Sequence, residues 1–94
     1  MNSTFEVSRK QLRAALAEIL DENAHVAAVV ISHLRSKNLA THVKGTFLYS
    51  LEKAALPQIK EALNECCTSK TSFLSTEEVE IAYNVLVKLS EMTT

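Results

Sequence analysis

The sequence predicts an all-α fold, a compact bundle of four or five short helices. Its 94 residues suffice for one domain with a small core of its own. The chain contains one glycine and one proline, so two residue types on which β-rich folds depend for turns are scarce. Apolar residues also recur at helical spacing along most of the chain. We therefore expect a single helical domain over residues 1–94, frayed at residues 1–6 and 93–94.

Two serines mark helix starts. Ser8 is followed three positions later by Gln11, and Ser75 by Glu78. In such a capping box the serine oxygen accepts a backbone N–H, and the later side chain accepts the serine N–H in return. The pattern predicts one helix starting after Ser8 and a last helix over 75–92.

Two ends can be predicted for the helix that starts after Ser8. Its apolar positions run to Leu20, where Asp21, Glu22 and Asn23 interrupt them. We favour a break here, with Asn23 capping a second helix over 24–37. A continuous helix over 8–37 is the other possibility.

The middle of the chain predicts two more helices. Thr41 opens the first, which carries apolar residues on one side as far as residue 55. Pro57 lacks a backbone donor, so it ends or kinks that helix and can begin the next. The polar segment 68–72 is the best loop in the sequence.

The competing fold is α+β. Residues 26–31 are rich in β-branched side chains and residues 46–49 can also extend. Clean alternation of apolar and polar residues is missing, which favours helices. The expected core of the all-α fold comprises Leu12, Leu16, Ile19, Val26, Val30, Leu34, Phe47, Leu51, Leu63, Val79, Leu86 and Leu89.

No catalytic, metal or cofactor motif stands out, so we expect neither an enzyme nor a cofactor. His25 and His33 are eight residues apart, and Cys66 and Cys67 are adjacent, which are poor spacings for a shared metal ion. The apolar run 26–31 is too short to span a bilayer, so no membrane role is expected. Two adjacent cysteines and the lack of a signal peptide favour a reducing cytoplasm.

The expected function is binding to protein. The helices 24–37 and 75–92 are apolar around most of their circumference, and so small a domain has difficulty covering both. The uncovered face predicts a protein-protein interaction module, such as a small adaptor, inhibitor or assembly regulator, that forms a homodimer or binds a protein partner. The candidate interface residues are Val29, His33, Val85, Leu89 and Met92.

The alternative function is DNA-binding transcriptional regulation. A helix pair over 24–37 and 41–55 would have helix-turn-helix dimensions. The net charge of −1 disfavours it, although the first 53 residues carry seven Lys and Arg against five Asp and Glu. The residues that would contact nucleic acid are Arg35, Lys37, Thr41, His42, Lys44 and Thr46.

Overall fold

The computed structural model describes residues 3–21, 23–68 and 74–92. Within them the chain forms three strands and four α-helices. The mixed fold matches the α+β alternative, and the all-α prediction holds only for the helical majority of the chain. The elements are β1 Thr4–Ser8, α1 Arg9–Leu16, α2 Asn23–Ser36, β2 Thr41–His42, β3 Leu48–Glu52, a 3₁₀ turn Lys53–Ala55, α3 Leu56–Thr68 and α4 Thr76–Met92.

The segment expected as a helix over 41–55 is a β-hairpin. β2 pairs antiparallel with β3, and His42 lies opposite Tyr49. The hairpin turn is possible because Gly45, with φ 82°, takes the backbone conformation that side chains disfavour. One glycine is enough for one hairpin, so the low glycine content did not exclude a sheet. The helix-turn-helix predicted from 24–37 and 41–55 is therefore not formed.

β1 pairs with the other edge of β3, which gives the antiparallel sheet the order β1-β3-β2. Phe5 lies opposite Leu51, and Val7 lies opposite Tyr49. Phe5 and Val7 are buried while Glu6 between them is exposed, the alternation of a strand with one covered face. Residues 4–6, which were expected to be frayed, therefore belong to the sheet. The sequence did not reveal this pairing because the partner strand lies far along the chain.

The predicted break after α1 is confirmed. Ser8 caps α1, since its Oγ accepts the Gln11 N–H at 3.0 Å and its own N–H donates to Gln11 Oε1 at 2.9 Å. α1 ends at Leu16 and α2 begins at Asn23. The alternative of a strand over 26–31 is wrong, because these residues lie inside α2.

α2 packs against all three of the other α-helices, as α4 also does. The buried residues of α2 recur at three- and four-residue intervals, as on a covered helix face. Its end is a Schellman motif: Leu39 N–H donates to the Leu34 carbonyl at 2.8 Å, and Asn38, with φ 61°, donates to the Arg35 carbonyl at 3.1 Å.

The last two helices begin close to where the sequence predicts. Pro57 is the second residue of α3, where its missing N–H costs no hydrogen bond. Ser75 Oγ accepts the Glu78 N–H at 3.1 Å, and Glu78 Oε1 accepts the Ser75 N–H at 2.8 Å. The predicted loop over 68–72 lies, beyond Thr68, outside the described residues.

Three predicted core residues are not buried. Ile19 is 60% exposed and Phe47 is 90% exposed, because Ile19 follows the end of α1 and Phe47 lies in the hairpin loop. Leu89 is partly buried against the core. The other predicted core side chains are buried: Leu12, Leu16, Val26, Val30, Leu34, Leu51, Leu63, Val79 and Leu86.

Candidate functional site

An apolar groove of about 330 Å³ runs between the end of α1 and the second half of α4. Its apolar side chains, which define the α1–α4 groove, are Ala15, Ile19, Val85, Leu89 and Met92. Polar residues from the same two parts of the chain, Glu18 and Lys88, also line it.

The α1–α4 groove has a buried floor and exposed sides. Val85 is buried and Leu89 half-buried, whereas Ile19 and Met92 are mostly exposed. Val85, Leu89 and Met92 follow one another at four and three residues, so they lie on one side of α4. The structure thus brings together three of the predicted interface residues, and it adds Ile19, which the sequence assigned to the core.

The other two predicted interface residues lie elsewhere. Val29 and His33 form part of a shallow surface along α2, with Ala28, Ser32 and Ser36. None of these residues lines the α1–α4 groove. The two apolar helices therefore do not present one continuous face.

His33 is also engaged within the chain. Its Nε2 lies 3.5 Å from Glu65 Oε2 on α3, and Lys37 Nζ lies 2.9 Å from the same oxygen. The hydrogen bond from Lys37 is the largest cause that lowers the pKa of the Glu65 carboxyl below its ordinary 4.5. His33 therefore lies beside this α2–α3 contact, on a different side of the molecule from the α1–α4 groove.

A second concave surface lies between the start of α1 and the hairpin. Its volume is about 480 Å³, and it is lined by Ser8, Arg9, Lys10, His42, Phe47 and Tyr49. We call it the hairpin surface. Arg9 and Lys10 are its two cationic residues, none of the six is acidic, and Phe47 and Tyr49 add aromatic rings.

The hairpin under this surface is held by a bonded turn. Thr46 N–H donates to the Val43 carbonyl at 3.1 Å, which brackets Lys44 and Gly45 in a turn. Thr46 Oγ1 donates to the Val43 carbonyl at 2.8 Å, and His42 Nε2 donates to the Thr46 carbonyl at 2.7 Å. These bonds hold the backbone of the turn and the side chains of His42 and Thr46.

The predicted nucleic-acid residues are divided by the fold. Arg35 lies over the Tyr49 ring at 5.6 Å, and the His42 and Tyr49 rings are 5.5 Å apart. Lys37 is paired with Glu65 instead. Lys44, Thr41 and Thr46 are exposed in the hairpin.

Sequence reasoning missed Arg9, Lys10 and Phe47. Their contribution becomes visible only when β1 is paired with β3, because the pairing of Ser8 with Leu48 brings the start of α1 beside the hairpin loop. The strand alternation of residues 4–8 was the signal available for that pairing.

Neither a metal centre nor a membrane-spanning helix is present among residues 3–21, 23–68 and 74–92. No group of three or more His, Cys, Asp or Glu side chains is placed to hold a metal ion there. No helix among these residues has the length and apolar character needed to cross a bilayer.

Comparisons with protein-family models, with curated proteins and with solved structures find no match to this chain.

Proposed function

We propose that this chain is a non-catalytic protein-protein interaction module that binds a second copy of itself through the α1–α4 groove. The observation that supports the proposal is the exposure of Ile19 and Met92 beside the half-buried Leu89. Removing apolar surface from water stabilises an association by about 25 cal/mol per Å² before the costs of binding. Two large apolar side chains at one groove are natural anchors for that burial.

The charges in the groove favour a second copy as the occupant. Glu18 follows α1 and Lys88 lies on α4, so the α1 side of the groove is acidic and the α4 side is basic. In a two-fold dimer the same patch of both protomers forms the interface. A contact from one residue to a different residue of the partner is therefore made twice, once in each direction. Glu18 of one protomer then pairs with Lys88 of its partner, twice per dimer. Such pairs contribute more to specificity than to affinity.

The proposed setting is the cytoplasm, where the dimer would act as an adaptor, inhibitor or assembly regulator. One observation supports this compartment, and a second supports a binding role without catalysis. Cys66 and Cys67 are both free thiols, as a reducing compartment requires. The α1–α4 groove also lacks a convergent set of titratable groups, since Glu18 and Lys88 are its only charged residues, and this fits binding better than catalysis.

Self-association is tested by light scattering or sedimentation over a dilution series from about 1 to about 100 µM. The wild type is expected to shift from dimer to monomer on dilution. Ile19→Glu and Met92→Glu each place a charge in the interface and are expected to weaken the dimer at least about 10-fold. Phe47→Glu is the matched control, because Phe47 is also a large apolar residue and is still more exposed than Ile19 and Met92, but it lies outside the groove. A wild-type monomer at every concentration contradicts the proposal.

The two-fold arrangement has its own test. Glu18→Lys and Lys88→Glu each set like charges against one another and are expected to weaken the dimer. The double variant Glu18→Lys with Lys88→Glu restores opposite charges and is expected to recover most of the affinity. If the loss of dimerisation free energy in the double variant equals the sum of the losses in the two single variants, the proposed pairing of Glu18 with Lys88 is wrong.

A further inference from the structure

The cations at the start of α1 occupy unfavourable positions. Arg9 and Lys10 lie in the first turn of α1, which contains no acidic residue. The helix dipole places partial positive charge at that end, so cations there are destabilising. Arg13 follows Arg9 by four residues, and like charges at this spacing also repel. A bound anion would relieve both repulsions.

Nothing within the described chain neutralises these cations. The Lys and Arg side chains of the described residues form one ion pair with a described carboxylate, Lys37 with Glu65, and the hairpin surface contains no carboxylate. Lys44 adds another exposed cation in the hairpin turn. Acidic residues are concentrated beyond residue 53, where six Asp and Glu stand against three Lys and Arg. The excess of Lys and Arg over Asp and Glu thus lies in the first 53 residues, the part of the sequence that contains this surface.

An exposed aromatic ring stands among the cations. Phe47 is 90% exposed and directly follows the hydrogen-bonded turn that ends at Thr46. Tyr49, by contrast, already packs against Arg35 and His42. Phe47 therefore offers an exposed aromatic face beside Arg9 and Lys10.

We propose that the hairpin surface binds single-stranded nucleic acid, a function separate from self-association. Arg9, Lys10 and Lys44 contact phosphates, and one base stacks on Phe47. Cations that follow the backbone, together with an aromatic platform, are the features by which single strands are bound without sequence preference. A single strand is favoured over a duplex because bases in a duplex already stack on both faces, whereas Phe47 needs a base with a free face. The volume of the concavity, about 480 Å³, is in the range of sites that take small molecules.

The test uses a fluorescein-labelled oligo(dT) of about 12 nucleotides, a typical site length, followed by anisotropy at about 50 mM salt. We expect saturable binding that weakens with salt, with a log–log slope of about −2 for three phosphate contacts. An oligo(rU) of the same length shows whether RNA or DNA is preferred, and binding to either supports the proposal. The absence of binding to both at about 50 µM protein overturns it.

Two charge variants separate a local site from general attraction. Lys10→Glu lies on the hairpin surface, and Lys60→Glu lies on α3. Both change the net charge by the same amount. We expect Lys10→Glu to weaken binding at least about 10-fold and Lys60→Glu to change it less than about 2-fold. Equal losses in the two variants overturn the proposed site.

The aromatic contact is tested by Phe47→Leu, which keeps an apolar side chain but removes the ring. Because Phe47 is exposed, folding should be unchanged, and circular dichroism checks this. We expect affinity for oligo(dT) to fall about 5- to 100-fold. Unchanged affinity, or a duplex that competes as well as the single strand, overturns the single-strand proposal.

Discussion

Cys66 and Cys67 are neighbours in the chain but lie in different environments. Cys66 is buried in the core, whereas Cys67 is half-buried, with Sγ 3.2 Å from the Asn64 carbonyl oxygen. Burial raises the pKa of the Cys66 thiol above its ordinary 9.0, and the nearby Cys67 and Glu65 raise it further. The thiolate is the reactive form, so Cys66 is protected by both its burial and its pKa.

We therefore expect only one thiol per native chain to react rapidly with a disulfide reagent at pH 8. The second should react after unfolding in denaturant. Cys67→Ser is expected to remove the fast phase, and Cys66→Ser is expected to leave it. Rapid reaction of native Cys67→Ser protein would show that Cys66 is accessible.

Features that depend on neighbouring residues were predictable from the sequence. The capping pairs Ser8 with Gln11 and Ser75 with Glu78 form as predicted, because all their atoms lie within one helical turn. Ile19 was misassigned to the core since its helical spacing was counted beyond Leu16, where α1 ends.

The hairpin is the element that the sequence predicted least well. Apolar residues over 43–55 fit a helical pattern, and the extended alternative was supported only by residues 46–49. The deciding interaction is the pairing of β3 with β1, which joins segments far apart in the chain. A local sequence pattern does not reveal such pairing. The free energy that stabilises the pairing comes from backbone hydrogen bonds and side-chain contacts between the two strands.

Gly45 should be the position on which this element most depends. Its φ of 82° disfavours any side chain, although a Cβ there would meet no atom within 4 Å. We expect Gly45→Ala to lower the free energy of unfolding by about 1–2 kcal/mol through backbone strain alone, measured by urea denaturation. Gly45→Asn should cost less, because asparagine tolerates this conformation, as Asn38 does at φ 61°. Equal losses in the two variants would contradict the assignment to backbone strain.

At the scale of the whole molecule, the relative placement of helices was beyond prediction. The sequence identified α2 and α4 as unusually apolar, but their free surfaces point to different grooves. Three of five predicted interface residues meet in the α1–α4 groove because they lie on one helix. Which surface of the molecule contains Val29 and His33 depends on how α2 packs against the other helices.

The contact of Lys37 with Glu65 joins α2 to α3 and should make stability depend on pH. The folded pKa of Glu65 is lowered from its ordinary 4.5, so its ionised form stabilises the fold above that pH. This contribution is lost as the pH falls through the lowered folded value. We expect Glu65→Gln to show a shallower loss of stability in acid, measured by thermal unfolding from pH 6 to 3.

Glu61→Gln is the matched control, because Glu61 is exposed on the same helix. The thermal stability of Glu61→Gln is expected to depend on pH as that of the wild type does. If Glu65→Gln and Glu61→Gln follow the same curve, the contact with Lys37 does not contribute to stability.

The central position of β3 has a consequence for synthesis on the ribosome. β1 is made first, but its partner residues 48–52 are made only after α1 and α2. Until then Phe5 and Val7 lack the strand that pairs with theirs, and an unpaired apolar strand is prone to aggregate. The nascent chain is therefore most vulnerable between the completion of β1 and the emergence of β3, and a product truncated before Leu48 would keep that vulnerability permanently.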